Sequence, residues 1–344
     1  MKSQVVLERV TKKYSATTAV EDMSLEVGRG EIFCLLGPSG CGKTTTLRLI
    51  AGLEKPDSGR IEIGGVAVAG GGVWVPPEER RVGVVFQDYA LFPHMNVFQN
   101  VAFGIRNRRG LRRRVQEVLE LVGLRGMEKR YPHELSSGQQ QRVAIARALA
   151  PEPEVILLDE PFSNLDADLR KRIRSDIKKI LKDTGITTIF VTHDQEEAFF
   201  MAERIGVMRD GRLEQVGTPE QVFHRPSTPF VAQFVGTADF IDGVVRNGRV
   251  VTSIGELELN EGFPEGERVR VLIRPDFVDI EEDGEGEGTV VERLFLGTHH
   301  LYTILLKGGE RVRCLRHRSR PIPAGSKVRV KLGAPARPVV FRTN

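Results

Sequence analysis

Residues 37–45 read Gly-Pro-Ser-Gly-Cys-Gly-Lys-Thr-Thr, and this stretch decides the fold of the chain. It matches the pattern G-x-x-x-x-G-K-[ST], with Gly37, Gly42, Lys43 and Thr44 at the fixed positions. The glycines let the backbone turn tightly, so that successive N–H groups face a phosphate chain, and the N-terminus of the following helix adds its positive end. Lys43 would reach the β- and γ-phosphates, and the Thr44 hydroxyl would ligate Mg²⁺. The stretch therefore predicts a site for a nucleoside triphosphate.

The sequence on either side of this stretch agrees with a phosphate loop. Glu31–Leu36 is predicted to be a short buried strand, and Lys43–Leu53 a helix that ends at Gly52 or soon after. A strand before the loop and a helix after it are the context in which this motif binds phosphate. We therefore expect the whole loop to contact the nucleotide, namely Gly37, Pro38, Ser39, Gly40, Cys41, Gly42, Lys43, Thr44 and Thr45.

Length and composition limit what kind of protein this is. The 344 residues suggest two domains or slightly more, and a content of 40% apolar and 28% charged residues is typical of globular proteins. The 50 basic residues nearly match the 46 acidic ones, so the net charge of +4 is too small to indicate a nucleic-acid partner. We expect no binding of nucleic acid.

The sequence predicts neither a membrane span nor a secretion signal. No apolar run approaches the roughly 20 residues that a spanning helix needs. The first residues carry charge where a signal peptide would be apolar. Cys34, Cys41 and Cys314 lack the spacing of metal ligands and are expected to be reduced thiols. These features favour a cytoplasmic location, so any work at a membrane must involve a partner.

The order of the predicted elements indicates two domains of different class. Up to about Gly236 strands alternate with helices, as in an α/β P-loop NTPase with a mostly parallel sheet. From about Thr237 the pattern changes to short strands with Gly- and Pro-rich turns, including a hairpin at Asn247-Gly248. That pattern predicts a small all-β, OB-like barrel. The expected domains are 1–236, with a helical subdomain at about 88–132, and 237–344.

Two acidic residues follow the apolar strand predicted at Val155–Leu158. Asp159 ends the strand, where its carboxylate can hold Mg²⁺ over the phosphate loop. Glu160 is then placed to orient or deprotonate a water that attacks the γ-phosphate. Farther upstream, Ser136 and Gln139 have capping-box spacing, which gives the following Ala-rich helix a defined and positively polarised N-terminus.

Taken together, these motifs resemble those of the ATP-binding-cassette (ABC) ATPases over roughly residues 4–236. The motifs occur in the order of that family, and an ordered set is far more specific than a phosphate loop alone. They are the loop Gly37–Thr45, Gln87 after a strand, the signature Leu135–Gln139, the Walker B strand Val155–Glu160, the D-loop Ser163–Asp166 and the switch histidine His193.

The resemblance implies roles for further residues. Tyr14 would stack on the adenine of ATP, Gln87 would sense Mg²⁺ and the attacking water, and His193 would contact the γ-phosphate. The surface around Tyr89–Val97 would receive the membrane subunit. The expected catalytic residues are thus Lys43, Gln87, Glu160 and His193, and the expected Mg²⁺ ligands are Thr44, Gln87 and Asp159.

The resemblance also implies a head-to-tail homodimer. In that arrangement Ser136, Gly138 and Gln139 at the start of one chain's helix cap the γ-phosphate that the other chain holds. One chain carries one phosphate loop and one signature, so it cannot complete a site alone, although a sister cassette could replace the second copy. The chain departs from the family pattern at Ser137, where glycine is usual, and at Asn164, where alanine is commoner.

A cassette followed by a β barrel resembles the ATPases of bacterial importers for maltose-type sugars, polyamines, sulfate and ferric iron. The sequences Glu160–Asp168 and Thr237–Phe240 are most similar to the ferric-iron group. This implies integral membrane permease subunits as partners, a solute-binding protein as an indirect partner, and a peripheral position on the cytoplasmic face of the inner membrane. The alternatives are a polyamine, sulfate or sugar importer, a soluble ABC ATPase acting on nucleic acid, and a regulatory role for the β domain.

Overall fold

A computed structural model of the protein describes residues 2–107, 109–259, 262–317, 320–333 and 338–343. The chain falls into two compact units, Met1–Pro219 and Glu220–Asn344. The first unit contains the phosphate loop and every other residue that the sequence assigns to a site.

The first unit alternates strands and helices, as the sequence predicts. In chain order they are β1 (Ser3–Tyr14), β2 (Thr17–Gly28), β3 (Ile32–Leu36), α1 (Lys43–Ala51), β4 (Ser58–Ile63), β5 (Val66–Gly70), β6 (Val73–Trp74), β7 (Val82–Val85), α2 (Val97–Ala102), α3 (Leu111–Leu121), α4 (Ser137–Leu149), β8 (Val155–Asp159), α5 (Ala167–Thr184), β9 (Thr187–Thr192), α6 (Gln195–Met201), β10 (Arg204–Arg209) and β11 (Arg212–Gly217).

A six-stranded sheet with the order β11-β10-β3-β9-β8-β7 lies at the centre of this unit. Its strands pair in parallel from β10 to β7, and only β11 is antiparallel to its neighbour. All residues of β3 and β9 are buried, as expected for central strands covered on both faces. Because parallel strands end at the same edge, the segments that follow β3, β7, β8 and β9 meet there.

A second sheet, β2-β1-β4-β5-β6, is entirely antiparallel and does not follow from the sequence analysis. Its apolar face packs on the central sheet in one core, to which Val5 and Leu25 contribute from this sheet and Leu35 and Leu157 from the other. Its first two strands, β1 and β2, are long, at 12 residues each.

The helix after the phosphate loop ends slightly earlier than the last predicted residue. Helix α1 stops at Ala51, and Gly52 forms its C-cap in the left-handed region with φ 82°. A Cβ at this position would lie 2.5 Å from Nε of Arg80, so glycine is required by conformation and by space. The segment 88–132, expected to be helical, contains α2 and α3.

The second unit is mostly β structure. Its helices and strands are α7 (Pro219–His224), which begins one residue before it, α8 (Pro229–Phe234), β12 (Asp239–Arg246), β13 (Arg249–Thr252), β14 (Gly255–Glu258), β15 (Arg268–Ile273), β16 (Val278–Glu282), β17 (Gly288–Phe295), β18 (His299–Leu306), β19 (Arg311–His317), β20 (Lys327–Leu332) and β21 (Val340–Arg342). The strands form two five-stranded antiparallel sheets, β14-β13-β12-β15-β21 and β16-β20-β17-β18-β19, around one apolar core.

The division between the units precedes the boundary expected at residue 236. The reason is Arg274, which is 3% exposed and donates to the carbonyls of Phe223, Ala232 and Thr237. A buried guanidinium needs such acceptors, and they tie α7 and α8 to the β structure. The segment 220–236 therefore belongs to the second unit.

Candidate nucleotide site

The phosphate loop holds its lysine in a buried position at the start of α1. Lys43 is 5% exposed, and its Nζ donates to the carbonyl oxygens of Gly37 and Pro38 at 2.8 Å each. An ammonium group at this depth needs such acceptors, and they orient it within the concave side of the loop. From there it can exchange a carbonyl for a phosphate oxygen.

Two glycines of the loop are required by space. A Cβ at Gly42 would lie 2.1 Å from the carbonyl oxygen of Ala19, and one at Gly37 would lie 2.5 Å from the carbonyl oxygen of Met208. Gly42 is also the N-cap of α1, with φ 103°, and no side chain caps this helix. The N–H groups of the first turn are thus left to bind an anion, as the motif predicts.

The predicted Mg²⁺ ligands Thr44 and Asp159 lie together. Thr44 Oγ1 donates to Asp159 Oδ1 at 2.9 Å, which joins the start of α1 to the end of β8. Burial raises the pKa of Asp159, the hydrogen bond from Thr44 lowers it, and the nearby Glu160 carboxylate raises it again. A hydroxyl and a half-buried carboxylate with a second acid beside them are a donor set that suits a hard divalent cation. These residues fit Mg²⁺.

Glu160 and His193 form the next contact along the same edge. Glu160 Oε1 lies 3.2 Å from His193 Nδ1, with the two side chains 20% and 55% exposed. Glu160 has φ 43°, an uncommon left-handed conformation for a residue with a side chain, and its N–H donates to the carbonyl of Val191 at 3.1 Å. The strained turn after β8 is thereby held against β9, and its carboxylate is aimed at the histidine.

The other two residues that the resemblance adds, Tyr14 and Gln87, contact the phosphate loop and the D-loop respectively. Tyr14 ends β1, is 41% exposed, and its phenol interacts with Thr45 of the phosphate loop. Burial, followed by a hydrogen bond to Glu54, raises the pKa of Tyr14. Gln87 is exposed in the turn after β7, and its backbone carbonyl accepts from Asn164 Nδ2 at 2.9 Å.

The signature segment forms the N-terminus of α4 and is capped by its own side chains. The Ser136 hydroxyl accepts from the Gln139 N–H at 3.4 Å, and the Gln139 side chain accepts from the Ser136 N–H at 3.0 Å. The predicted capping box is present. Gly138 is buried, and a Cβ there would lie 2.8 Å from Cδ1 of Ile173, so this glycine lets α4 pack closely on α5.

Three side chains that sequence reasoning did not assign connect these segments. Gln141 is fully buried in α4 and donates to the carbonyl of Pro161 at 2.6 Å, and Arg147 of the same helix donates to the carbonyls of Tyr89 and Ala90. The third is Asn164, through its bond to the turn after β7. The only sequence signal was a polar residue, Gln141, on the buried face of an Ala-rich helix.

The comparisons with known proteins agree with this fold and site. The family model described as ABC transporter matches residues 20–163, and the model described as TOBE domain matches residues 271–341. A solved cassette, "Dimeric structure of a post-hydrolysis state of the ATP-binding cassette MJ0796 bound to ADP and Pi", is similar with a TM-score of 0.55 and 35% identity, covering 62% of this chain and 98% of that one.

Two curated relatives extend the match to nearly the whole chain. The spermidine/putrescine import ATP-binding protein PotA of Rubrobacter xylanophilus is 44% identical, over 93% of this chain and 88% of the relative. The Fe(3+) ions import ATP-binding protein FbpC 1 of Rhizobium meliloti is 45% identical, over 89% of this chain and 88% of the relative.

The fold and the site thus define a P-loop ATPase of the cassette type. The chain belongs to the ABC transporter family, in which ATP hydrolysis is coupled to transport. Its predicted fold class, with a cassette followed by an all-β domain, is confirmed, and so are ATP and Mg²⁺ as its cofactors. No helix in the part of the chain that the structure describes has the length and hydropathy of a membrane span.

Proposed function

We propose that this protein is the energy-coupling ATPase of a ferric-iron importer, that it acts as a head-to-tail homodimer, and that each ATP lies between two chains. The observation that carries the proposal is the pair of contacts beside the phosphate loop. Thr44 meets Asp159, and Glu160 meets His193, at the edge where the parallel strands end. The Thr44–Asp159 pair suits a metal ion, and the Glu160–His193 pair suits the orientation or deprotonation of a water.

In this proposal the loop backbone from Gly37 to Thr45 and Lys43 bind the phosphates, and Tyr14 packs on the adenine. Thr44, Asp159 and the Gln87 side chain would hold Mg²⁺, which when bound offsets the charge on the β- and γ-phosphates. The position of Tyr14 against Thr45 supports the adenine assignment, since the ring borders the loop.

Glu160 is the proposed general base. Its carboxylate takes the proton of the attacking water, or orders that water for in-line attack on the γ-phosphate. His193 keeps the carboxylate in place through the 3.2 Å contact and offers its other ring nitrogen to the γ-phosphate. The Glu160 backbone strain is of the kind that accumulates at functional sites.

The second half of each site would come from the signature helix of the other chain. The N-terminus of α4 has its cap and its positive dipole end at an exposed serine, Ser136, and Gly138 lies two residues farther along the helix. In the opposed chain this terminus would approach the γ-phosphate. The solved relative described as a dimer supports two-chain assembly, and it is the cassette alone that this likeness covers.

A groove beside α2 and α3 supports docking of a membrane permease. Its volume is about 1060 Å³, and it combines apolar side chains such as Phe86, Phe92 and Phe103 with six arginines and three glutamates. Phe86 and Phe103 are 37% and 60% exposed. An apolar groove with an excess of arginine fits an apolar segment with an acidic end, and the exposed phenylalanines favour a protein partner.

The transported solute is the part of the proposal that depends on similarity alone. The sequences Glu160–Asp168 and Thr237–Phe240 favour ferric iron, and one relative imports Fe(3+) by its name. Polyamines are the second candidate, because relatives of 44% and 45% identity are spermidine/putrescine import proteins.

Reconstitution tests the function and the solute together. The protein is purified with the permease that copurifies from membranes and placed in liposomes with the binding protein of the same system. We expect ATPase activity to rise when the binding protein carries ferric iron and not when spermidine or putrescine is added. Stimulation by a polyamine alone selects the second candidate, and no stimulation by any solute contradicts the importer.

A further inference from the structure

The turn that follows β7 has an uncommon backbone. Tyr89 and Ala90 both have positive φ, at 62° and 46°. Two consecutive left-handed residues with side chains persist only where their surroundings hold them. The turn also contains Gln87, whose side chain the proposed function places at the Mg²⁺ ion and the attacking water.

Arg147 of α4 holds one end of this turn. Its guanidinium donates to the carbonyl of Ala90 at 2.6 Å and to that of Tyr89 at 2.8 Å, and it lies 5.3 Å from the ring centroid of Phe92. The planar fork thus reaches both left-handed residues at once, with one guanidinium nitrogen on each carbonyl in a fixed geometry that a lysine does not have. The helix that supplies it is the one that begins at the signature.

Asn164 holds the other end. Its Nδ2 donates to the carbonyl of Gln87 at 2.9 Å. The neighbouring Ser163 donates from both its N–H and its hydroxyl to the carbonyl of Glu160, at 3.3 and 3.0 Å. A short path therefore runs from Glu160 to Gln87 through the D-loop. Alanine, the commoner residue at position 164 in the family, has no donor and could not form it.

We propose that Asn164 and Arg147 are positioning residues that fix the turn 87–90 on two sides, so that the Gln87 side chain keeps its place in the nucleotide site. Asn164 links the turn to the segment of the general base, and Arg147 links it to the signature helix. Neither side chain touches the nucleotide. This inference rests on the proposed role of Gln87, and it explains why this chain carries Asn164.

The first test compares the steady-state ATPase of the full-length chain with that of Asn164→Ala and Asn164→Asp. Loss of one exposed hydrogen bond should lower kcat about two- to tenfold in Asn164→Ala, with KM for ATP and the unfolding temperature unchanged. Asn164→Asp should lower kcat further, because its carboxylate would face the Gln87 carbonyl. Thr343→Ala removes a comparable exposed bond, to the Arg268 carbonyl, and should match the wild type.

The order wild type, Ala, Asp in kcat is the diagnostic result. A residue that merely supported the fold of the D-loop would lower the unfolding temperature together with the active fraction. Equal kcat for all three proteins, or a loss of kcat that only follows a loss of stability, overturns the assignment of Asn164.

The second test is a double-mutant cycle with Arg147→Lys, which keeps the charge but not the fork. If both residues act on one turn, the loss of kcat in the double variant is smaller than the product of the single losses. Strictly multiplicative losses contradict a shared turn. Glu160→Gln is assayed in parallel: if it keeps its turnover, the proposed chemistry has failed, whereas normal Asn164 variants beside an inactive Glu160→Gln refute only this inference.

Discussion

Helices α1 and α4 both begin at motifs expected to meet phosphate, yet their N-termini are built differently. Helix α1 starts from Gly42, has no side-chain cap, and places the buried Lys43 beside its open first turn. Helix α4 starts from Ser136, whose capping box with Gln139 satisfies the N–H groups of these two residues. The cap residue of α4 is exposed, whereas Lys43, the first residue of α1, is buried.

The two helix N-termini are therefore suited to different roles in phosphate binding. An uncapped N-terminus leaves backbone donors available to a bound anion, which suits α1 to holding the phosphates within one chain. A capped N-terminus folds without a ligand and can offer its dipole to a phosphate that arrives from outside. We therefore expect a substitution beside α1 to impair the ATP site whose phosphate loop lies in the same chain. A substitution at the start of α4 should instead impair the ATP site of the partner chain.

The largest effect is expected from Glu160→Gln, on the α1 side. The amide cannot accept the proton of the water, so turnover should fall by about 100- to 10,000-fold while ATP binding is kept. ATP should then trap a dimer that size-exclusion chromatography resolves. Glu117→Gln, the same change at a residue with a half-exposed side chain, is the control and should hydrolyse ATP normally. Near-normal turnover of Glu160→Gln would show that Glu160 is not the general base.

A charge introduced at the surface proposed to face the permease should have the next largest effect. His94 is exposed within the expected docking segment, and His94→Glu adds a negative charge that would repel an acidic partner. We expect transport in liposomes to fall by about tenfold, while the ATPase activity of the isolated subunit stays within about twofold. If transport is unchanged both in this variant and in a charge reversal at Asp88, the docking surface lies elsewhere.

Removal of the second unit tests what keeps two chains together, so that α4 of one chain can act on the other. A chain of residues 1–218 keeps both phosphate motifs and ends before α7, whereas a chain of residues 1–236 would leave α7 and α8 without Arg274. We expect the second unit to hold two chains together between turnovers, so the shorter chain should hydrolyse ATP with a strong dependence on protein concentration. Sedimentation without nucleotide should find the full-length protein dimeric and the truncated form monomeric. If both are monomers, the second unit does not hold the dimer.

The smallest effect is expected at Glu197 of α6, whose partner Thr192 directly precedes His193. It is 3% exposed and accepts from the Thr192 hydroxyl at 2.6 Å. Burial, more than the nearby Asp194, raises the pKa of Glu197, so the folded state holds this proton more tightly than the unfolded state does. Both states are protonated at low pH, and stability is lost as the pH rises from the ordinary pKa of glutamate to the raised one.

Glu197→Gln removes this cost and keeps an acceptor for Thr192. The variant should unfold about 2 °C higher than the wild type at pH 7, with a difference that disappears near pH 4. Calorimetry at the two pH values measures it. A variant that is less stable at pH 7 would mean that its pairing with Arg170 and Arg174 outweighs burial.

The sequence predicted the parts of this molecule that are contiguous in the chain. The phosphate loop, the acid pair after β8 and the capping box of α4 are each encoded within a few residues, where the spacing alone specifies the chemistry. The contacts of Arg147 and Asn164 with the turn after β7 span 58 and 77 residues, and no local pattern reports them.

The same limit applies to the fold. Alternating strands and helices predicted the parallel sheet, because a crossover helix is visible in sequence. The antiparallel sheet of β1, β2, β4, β5 and β6 depends on pairings between distant strands such as β1 and β4. The unit boundary depends on Arg274, whose partners lie up to 51 residues away.

Mixed dimers test whether each ATP site is shared between the two chains of a homodimer. One chain carries Ser136→Ala and its partner carries Lys43→Ala, each with a different affinity tag so that only mixed dimers are purified. If each ATP lies between the phosphate loop of one chain and α4 of the other, both lesions fall on the same site and the second site stays intact. We expect ATPase activity well above that of either parent homodimer, and activity no higher than theirs would contradict a site shared between two chains.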